Sequence, residues 1–212
     1  MDGGCSGRTF LRRSAVGLAV GLATLVHTGV RAAGADTAEA AKHIFERTNE
    51  LRSAQGLRPV AVSRELAAAA SGFARYMAQT GSYGHNADGR QPVERAAAQG
   101  YDHCIVSENI ARVYRSGGYD ARALAEDMVE GWKNSAEHRK AMLDPAVTQA
   151  GVGVAQDEKG RYFGVQMFGR PKASAIRFSV RNESGKEVQY SAGERRFSLE
   201  SRAERTHTVC RP

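Results

Sequence analysis

The sequence lacks the familiar signatures of catalysis: it has no H-E-x-x-H helix, no paired C-x-x-C, no G-x-S-x-G elbow and no glycine-rich phosphate loop following a strand. These absences exclude the familiar hydrolase and nucleotide sites. No run of Lys or Arg marks a nucleic-acid track, because the basic residues are interspersed with acids. No apolar segment reaches the ~20 residues that a membrane span needs. Cysteine is scarce, at three residues, and there is one tryptophan.

What remains is ordinary globular material. With 212 residues, 42% hydrophobic and 25% charged, the chain suffices for one core plus a small appendage. The first 35 residues read as a secretory signal: Arg8, Arg12 and Arg13 make a basic start, Ala15 to Val26 an apolar run, and Ala33-Gly34-Ala35 a cleavage site of the A-x-A kind. Ser6 to Arg12 is similar to a twin-arginine signal with Gly7 at the first arginine position, which leaves the export route open. Removing the signal takes away four basic residues and one acid, lowering the formal net charge from +7 to +4. The expected location is secreted or periplasmic, and a mildly basic domain suits an anionic envelope. Cys5 leaves with the signal. Cys104 and Cys210 can then pair in an oxidising compartment, removing loop entropy worth roughly 4 to 5 kcal/mol; two free thiols are the alternative.

Along the mature chain, Ala41, Ile44, Phe45, Thr48 and Leu51 predict a helix from about Thr37 to Gln55. Ser63 caps a second, with Leu66, Ala69, Ala70, Phe73 and Met77 on one face and Gly81 as its stop. Residues 81–91 form a loop by turn chemistry, and Pro92 opens a short helix closing near Gly100. Asp120 caps a helix carrying Leu124, Met128 and Trp132, and Ser135 caps a short one through Met142. Val152 and Val154, then Phe163, Val165 and Met167, predict a hairpin turning at residues 157–160. Beyond Pro171, alternation at Ile176, Phe178 and Val180, then Val188 and Tyr190, then Phe197 and Leu199 predicts a β appendage of about 40 residues, too small to be stable alone. The fold class is α+β.

Four segments follow in order: Tyr83-Gly84-His85-Asn86 with Asp88-Gly89-Arg90; S-E-N-I-A from Ser107; W-K-N-S-A-E-H-R-K-A-M-L from Trp132; and G-V-G-V-A with F-G-V-Q-M-F, ending at Phe168. Together they resemble the CAP superfamily (the SCP domain of cysteine-rich secretory proteins, antigen 5 and pathogenesis-related proteins), in its bacterial secreted form, over roughly residues 40 to 170. The resemblance implies an α-β-α sandwich with a small antiparallel sheet between helical layers. The division is then 1–35 signal, 36–171 CAP domain and 172–212 a β-rich extension docked on it.

In the resembled family two histidines and two acids line a cleft that can hold a divalent ion, and His85, Glu108 and His138 fall on three of those positions. Two imidazoles and a carboxylate match an open zinc site, so the cofactor expected is a divalent metal, with zinc first. At the fourth position Ser135 replaces an acid, and Glu130 and Glu137 are weak substitutes. His138 follows the Ser135 cap, where a helix N-terminus favours neutral imidazole. The structural alternatives are a loop residue bonding to backbone for His85, a turn cap or a partner for an arginine for Glu108, and orientation of the short helix for His138. Asn109 and Trp132 read as architecture, and His43, His103 and His207 as facing solvent or making surface hydrogen bonds. The leading expectation is a secreted binding module whose cleft takes a metal or a small apolar, glycan or peptide ligand, with no nucleic-acid partner and no catalytic residue assigned. A metal-dependent hydrolase on the same cleft, and a partner-docking protein acting through its C-terminal strands, are the alternatives.

Overall fold

The computed structural model describes residues 1–2, 34–193 and 195–211. The signal expected over residues 1–35 lies almost wholly outside the described residues. Asp36 accepts from the backbone N–H groups of Ala38 and Glu39 and starts α1 (Thr37–Ala54), satisfying donors that a helix start leaves free. The inward positions are Ala40, Ile44, Thr48 and Arg52. Arg52 is the unexpected member: its guanidinium donates to the backbone oxygens of Arg58, Met142 and Asp144, so a buried cation locks loop ends rather than meeting an acid.

Helix α2 (Arg64–Thr80) begins at the Ser63 cap, and Gly81 ends it at a left-handed φ of 72°. Then come α3 (Pro92–Ala98), α4 (Ala121–Lys133), capped by Asp120, and α5 (Ala136–Met142). These match the predicted helices closely. One detail differs: Ser135 occupies the N-cap position of α5 without a side-chain cap bond.

The sheet has four strands, β1 (Ala61–Val62), β2 (His103–Val113), β3 (Gln149–Gln156) and β4 (Tyr162–Pro171), in the order β1-β3-β4-β2. The predicted hairpin is β3–β4, with Val152 opposite Gln166. β2 joins β4 antiparallel, and the two-residue β1 lies parallel to β3, so the expected antiparallel sheet carries one short parallel edge. No strand was expected at β2, because Glu108 and Asn109 are buried on it beside Ile110 and spoil the apolar alternation on which strand recognition rests.

Helices cover both faces. One core cluster joins Ile44 of α1, Leu124 and Trp132 of α4 and Met142 of α5 to Val152 and Phe168; the other joins Leu66, Phe73 and Met77 of α2 and Ala96 of α3 to Ile110, Phe163 and Met167. This is the expected α-β-α sandwich. The glycines of β3 set its thinness: a Cβ on Gly151 would stand 2.1 Å from Ala67 N, and one on Gly153 2.3 Å from Ser71 N. The α2 backbone therefore rests directly on the strand.

Past a 3-10 turn at Lys172–Ser174, β5 (Ile176–Arg181) pairs with β8 (Glu204–Val209) and β6 (Val188–Ala192) with β7 (Arg195–Leu199). His207, expected in solvent or in a surface hydrogen bond, is instead buried: it stacks on Phe178 at 5.1 Å, packs edge-on against Phe197 at 4.6 Å and bonds Tyr190 Oη at 2.6 Å. Cross-strand neighbours create this environment, and none of them is local in sequence. The Cys104–Cys210 disulfide is formed, with Cα atoms 5.4 Å apart, and Arg211 reaches Asp144 at 2.8 Å. Among the described residues no helix is long and apolar enough to cross a membrane.

Candidate functional site

β2 is an edge strand, with α3 beside it in the α2 layer and α5 in the layer of α1 and α4. Successive side chains on a strand point to opposite faces, so the adjacent residues Glu108 and Asn109 serve different layers. Glu108 turns toward α3. Its side chain is 1% exposed, and Arg95 donates through Nη2 to Oε1 at 3.0 Å and to Oε2 at 2.8 Å. The same guanidinium donates to Asp88 Oδ1, Arg90 O and His85 O, each at 2.7 Å, and its Cζ lies 3.6 Å over the Phe73 ring. Burying this cation would be costly alone; two carboxylates, two carbonyls and a ring face offset the cost.

His85 is delivered by the loop between α2 and α3, and Arg95 fixes that loop by holding the carbonyl of His85 itself. The His85 side chain is half exposed, and its Nδ1 lies 2.9 Å from Glu108 Oε1. A carboxylate facing a guanidinium can only accept, so Nδ1 donates and the neutral ring keeps its lone pair at Nε2.

His138 comes from α5. Asn109 Nδ2 donates to the His138 carbonyl at 3.1 Å and to Gln166 Oε1 at 3.3 Å, while Gln166 Nε2 donates to Thr48 Oγ1 at 2.7 Å. A buried polar chain thus crosses from α1 through β4 and β2 to the histidine. Burial holds the His138 imidazole below its ordinary pKa, His85 adds to the effect and Glu137 opposes it. The neutral ring anticipated from the helix terminus therefore has burial as its leading cause.

His85 and Glu108 are in direct contact, and His138 is near enough to feel His85. Among the described residues, however, no three His, Cys, Asp or Glu side chains form a group that could hold a metal; the oxygens of Glu108 are taken by Arg95 and His85. Glu108 orients the His85 ring through Nδ1, a carboxylate–histidine arrangement familiar around metals. Glu130 is turned to Lys133 at 2.6 Å. Trp132 is buried and donates from Nε1 to Ile110 O at 2.9 Å, holding β2 to α4. Sequence reading allowed Glu108 an arginine partner without naming Arg95, and missed Asp88, Gln166 and Thr48; the alternation-breaking polar residues of β2 were the available signal.

Comparison with known proteins agrees with this architecture. YkwD of Bacillus subtilis strain 168 is 28% identical over 130 residues, covering 61% of this chain and 47% of that protein. The chain spans less than half the length of the curated relatives it matches. An extracellular protein containing an SCP domain from Bacillus anthracis superimposes with a TM-score of 0.52 at 26% identity, over 63% of this chain and 41% of that one. An outer surface protein from Borrelia burgdorferi gives a TM-score of 0.57 at 20% identity, over 65% of this chain and 96% of that one, a likeness of fold. The model of the cysteine-rich secretory protein (CAP) family matches residues 45–168, more than half of the chain and every element from late α1 to β4, so the chain belongs to that family.

Proposed function

We propose that this CAP protein is an exported binding module whose cleft at the β2 edge takes a divalent cation, zinc first, through His85 Nε2 and the His138 imidazole, and presents it to a small envelope-type ligand such as a lipid, glycan or peptide. The observation that carries this reading is the relay Arg95–Glu108–His85 beside a histidine held below its ordinary pKa. The relay points one nitrogen lone pair outward, and burial keeps the second ring unprotonated. A bound cation would supply Lewis acidity and a coordination point for a ligand's oxygen. The protein's own part is to fix the two rings and to leave coordination positions open. Binding is favoured over hydrolysis because the one buried carboxylate already accepts from Arg95 through both oxygens and from His85 through Oε1, and its side chain is only 1% exposed to water.

Calorimetric zinc titration of the wild type, His85→Ala, His138→Ala and Glu108→Gln tests this. Either histidine variant loses binding, and Glu108→Gln weakens it about 10- to 100-fold, the range for loss of a group that orients a metal ligand. Zinc affinity unchanged in His138→Ala would overturn the proposal. Chelator-sensitive turnover of envelope peptides, esters or glycans would instead favour the hydrolase.

A further inference from the structure

The C-terminal appendage packs as a unit of its own, in which the rings of Phe178, Tyr190, Phe197 and His207 stack on one another and Leu199 is buried. Its polar contacts are internal: among the described residues, no hydrogen bond or ion pair joins residues 176–209 to the sandwich. The ties lie at its two ends. At the near end Lys172 N–H donates to Asp102 O at 2.9 Å and Arg170 Nε to Ser174 O at 2.8 Å. At the far end stand the Cys104–Cys210 disulfide and the ion pair of Arg211 with Asp144, in which the arginine is 60% exposed. An ion pair so open to water contributes little, so the disulfide is the main restraint on that end.

The bond is also within reach. Both cysteines are half-buried rather than enclosed, and both line an open groove of about 660 Å³ whose walls include Val93 of α3, Ile105 and Val106 of β2 and Val209 of β8. The disulfide therefore sits between the appendage and the sandwich, at the surface of a groove, and not inside either core. A thiol can attack an accessible disulfide directly, whereas one sealed in a core reacts only when the fold opens. Here the accessible bond is the one that restrains a separately packed unit, so it can be broken without unfolding either part that it joins.

We infer that Cys104–Cys210 is a thiol-exchange site, through which a dithiol reductant entering the groove releases the appendage from the folded sandwich. One thiolate of the dithiol attacks a sulfur of the pair; a mixed disulfide forms as the Cys104–Cys210 bond breaks, and the other cysteine leaves as a thiolate and takes up a proton. The second thiol of the reductant, once deprotonated, displaces the attached cysteine and closes the reductant's own disulfide. The protein gains two electrons and two protons, and the dithiol loses them. The appendage then hangs from the junction at residues 171–174, and Val93, Ile105 and Val106 part from Val209. The inference does not rest on the metal reading, and its test involves no metal.

Dithiothreitol is added to the native protein, and the new thiols are trapped with N-ethylmaleimide and assigned by peptide mass. Cys104 and Cys210 each gain a label, at a rate that rises in proportion to dithiothreitol and does not change with urea added well below the unfolding midpoint. Relaxation of the 15N-labelled, reduced protein then shows β5 to β8 tumbling apart from the sandwich, while amides from α1 to β4 away from Cys104 keep their positions. The double variant Cys104→Ser with Cys210→Ser reproduces that pattern without reductant. A reduction rate that climbs with urea as global unfolding does, a reduced appendage that still tumbles with the sandwich, or loss of the sandwich signals on reduction would each overturn the proposal.

Discussion

Arg95 and Glu108 form a buried ion pair, Nη2 to Oε2 at 2.8 Å, that ties the short helix α3 to the edge strand β2. It is the mechanical centre of the site, because the same guanidinium also holds the backbone of the loop carrying His85.

Removing one partner of this pair strands the other in the core. Arg95→Ala is expected to destabilise the protein by about 3 to 5 kcal/mol, read as a lower urea midpoint. The double change Arg95→Met with Glu108→Leu should recover most of that loss while zinc binding stays weak. A double variant no more stable than Arg95→Ala would show that Arg95 acts mainly through the loop carbonyls.

Acidification should weaken the fold through His138. Its folded-state pKa lies below the ordinary value of 6.5, so the unfolded chain takes up the proton first. Stability is therefore complete above about 6.5 and falls as the pH drops from there to the folded-state pKa, where the loss levels off. Urea midpoints measured between these limits should decline in the wild type and decline less in His138→Gln.

The disulfide should matter most to the C-terminal strands. Cys104→Ser with Cys210→Ser opens a loop with a sequence separation of 106, a loss of up to roughly 4 to 5 kcal/mol. Hydrogen exchange should quicken over β5 to β8 more than over β3 and β4. Equal acceleration throughout would mean that the appendage and sandwich unfold as one unit.

Two glycines should respond with opposite sign. Gly151→Ala drives a methyl against the α2 backbone, 2.1 Å from Ala67 N, and is expected to cost several kcal/mol, about 3 or more. Gly72→Ala meets nothing within 4 Å and should stabilise by about 1 kcal/mol. Thermal melts of the two variants decide it.

The polar chain behind His138 can be tested without touching the ring. Asn109→Ala frees the His138 carbonyl and leaves Gln166 Oε1 without its donor, a cost of about 1 to 3 kcal/mol. Zinc affinity should fall with it. Unaltered affinity would mean that α5 holds its position without β2.

By itself the sequence determined the helices and their caps, because Asp36, Ser63, Asp120 and Gly81 act within a few residues of themselves and the apolar stripes of α2 and α4 repeat locally. It determined the β3–β4 hairpin for the same reason, and the ordered motifs carried the family. Only the tertiary structure decided the rest. Strand β2 was hidden because its inward residues are polar, and they are polar because Arg95 and Gln166 lie opposite them. The burial of His207 depends on strands that pair across a sharp sequence gap. The role of Glu108 was the subtlest case: its residue type permits a metal ligand, but a guanidinium supplied by another element occupies its oxygens. Local rules name what a side chain can do, whereas the partner that chooses among those possibilities arrives only when the chain folds.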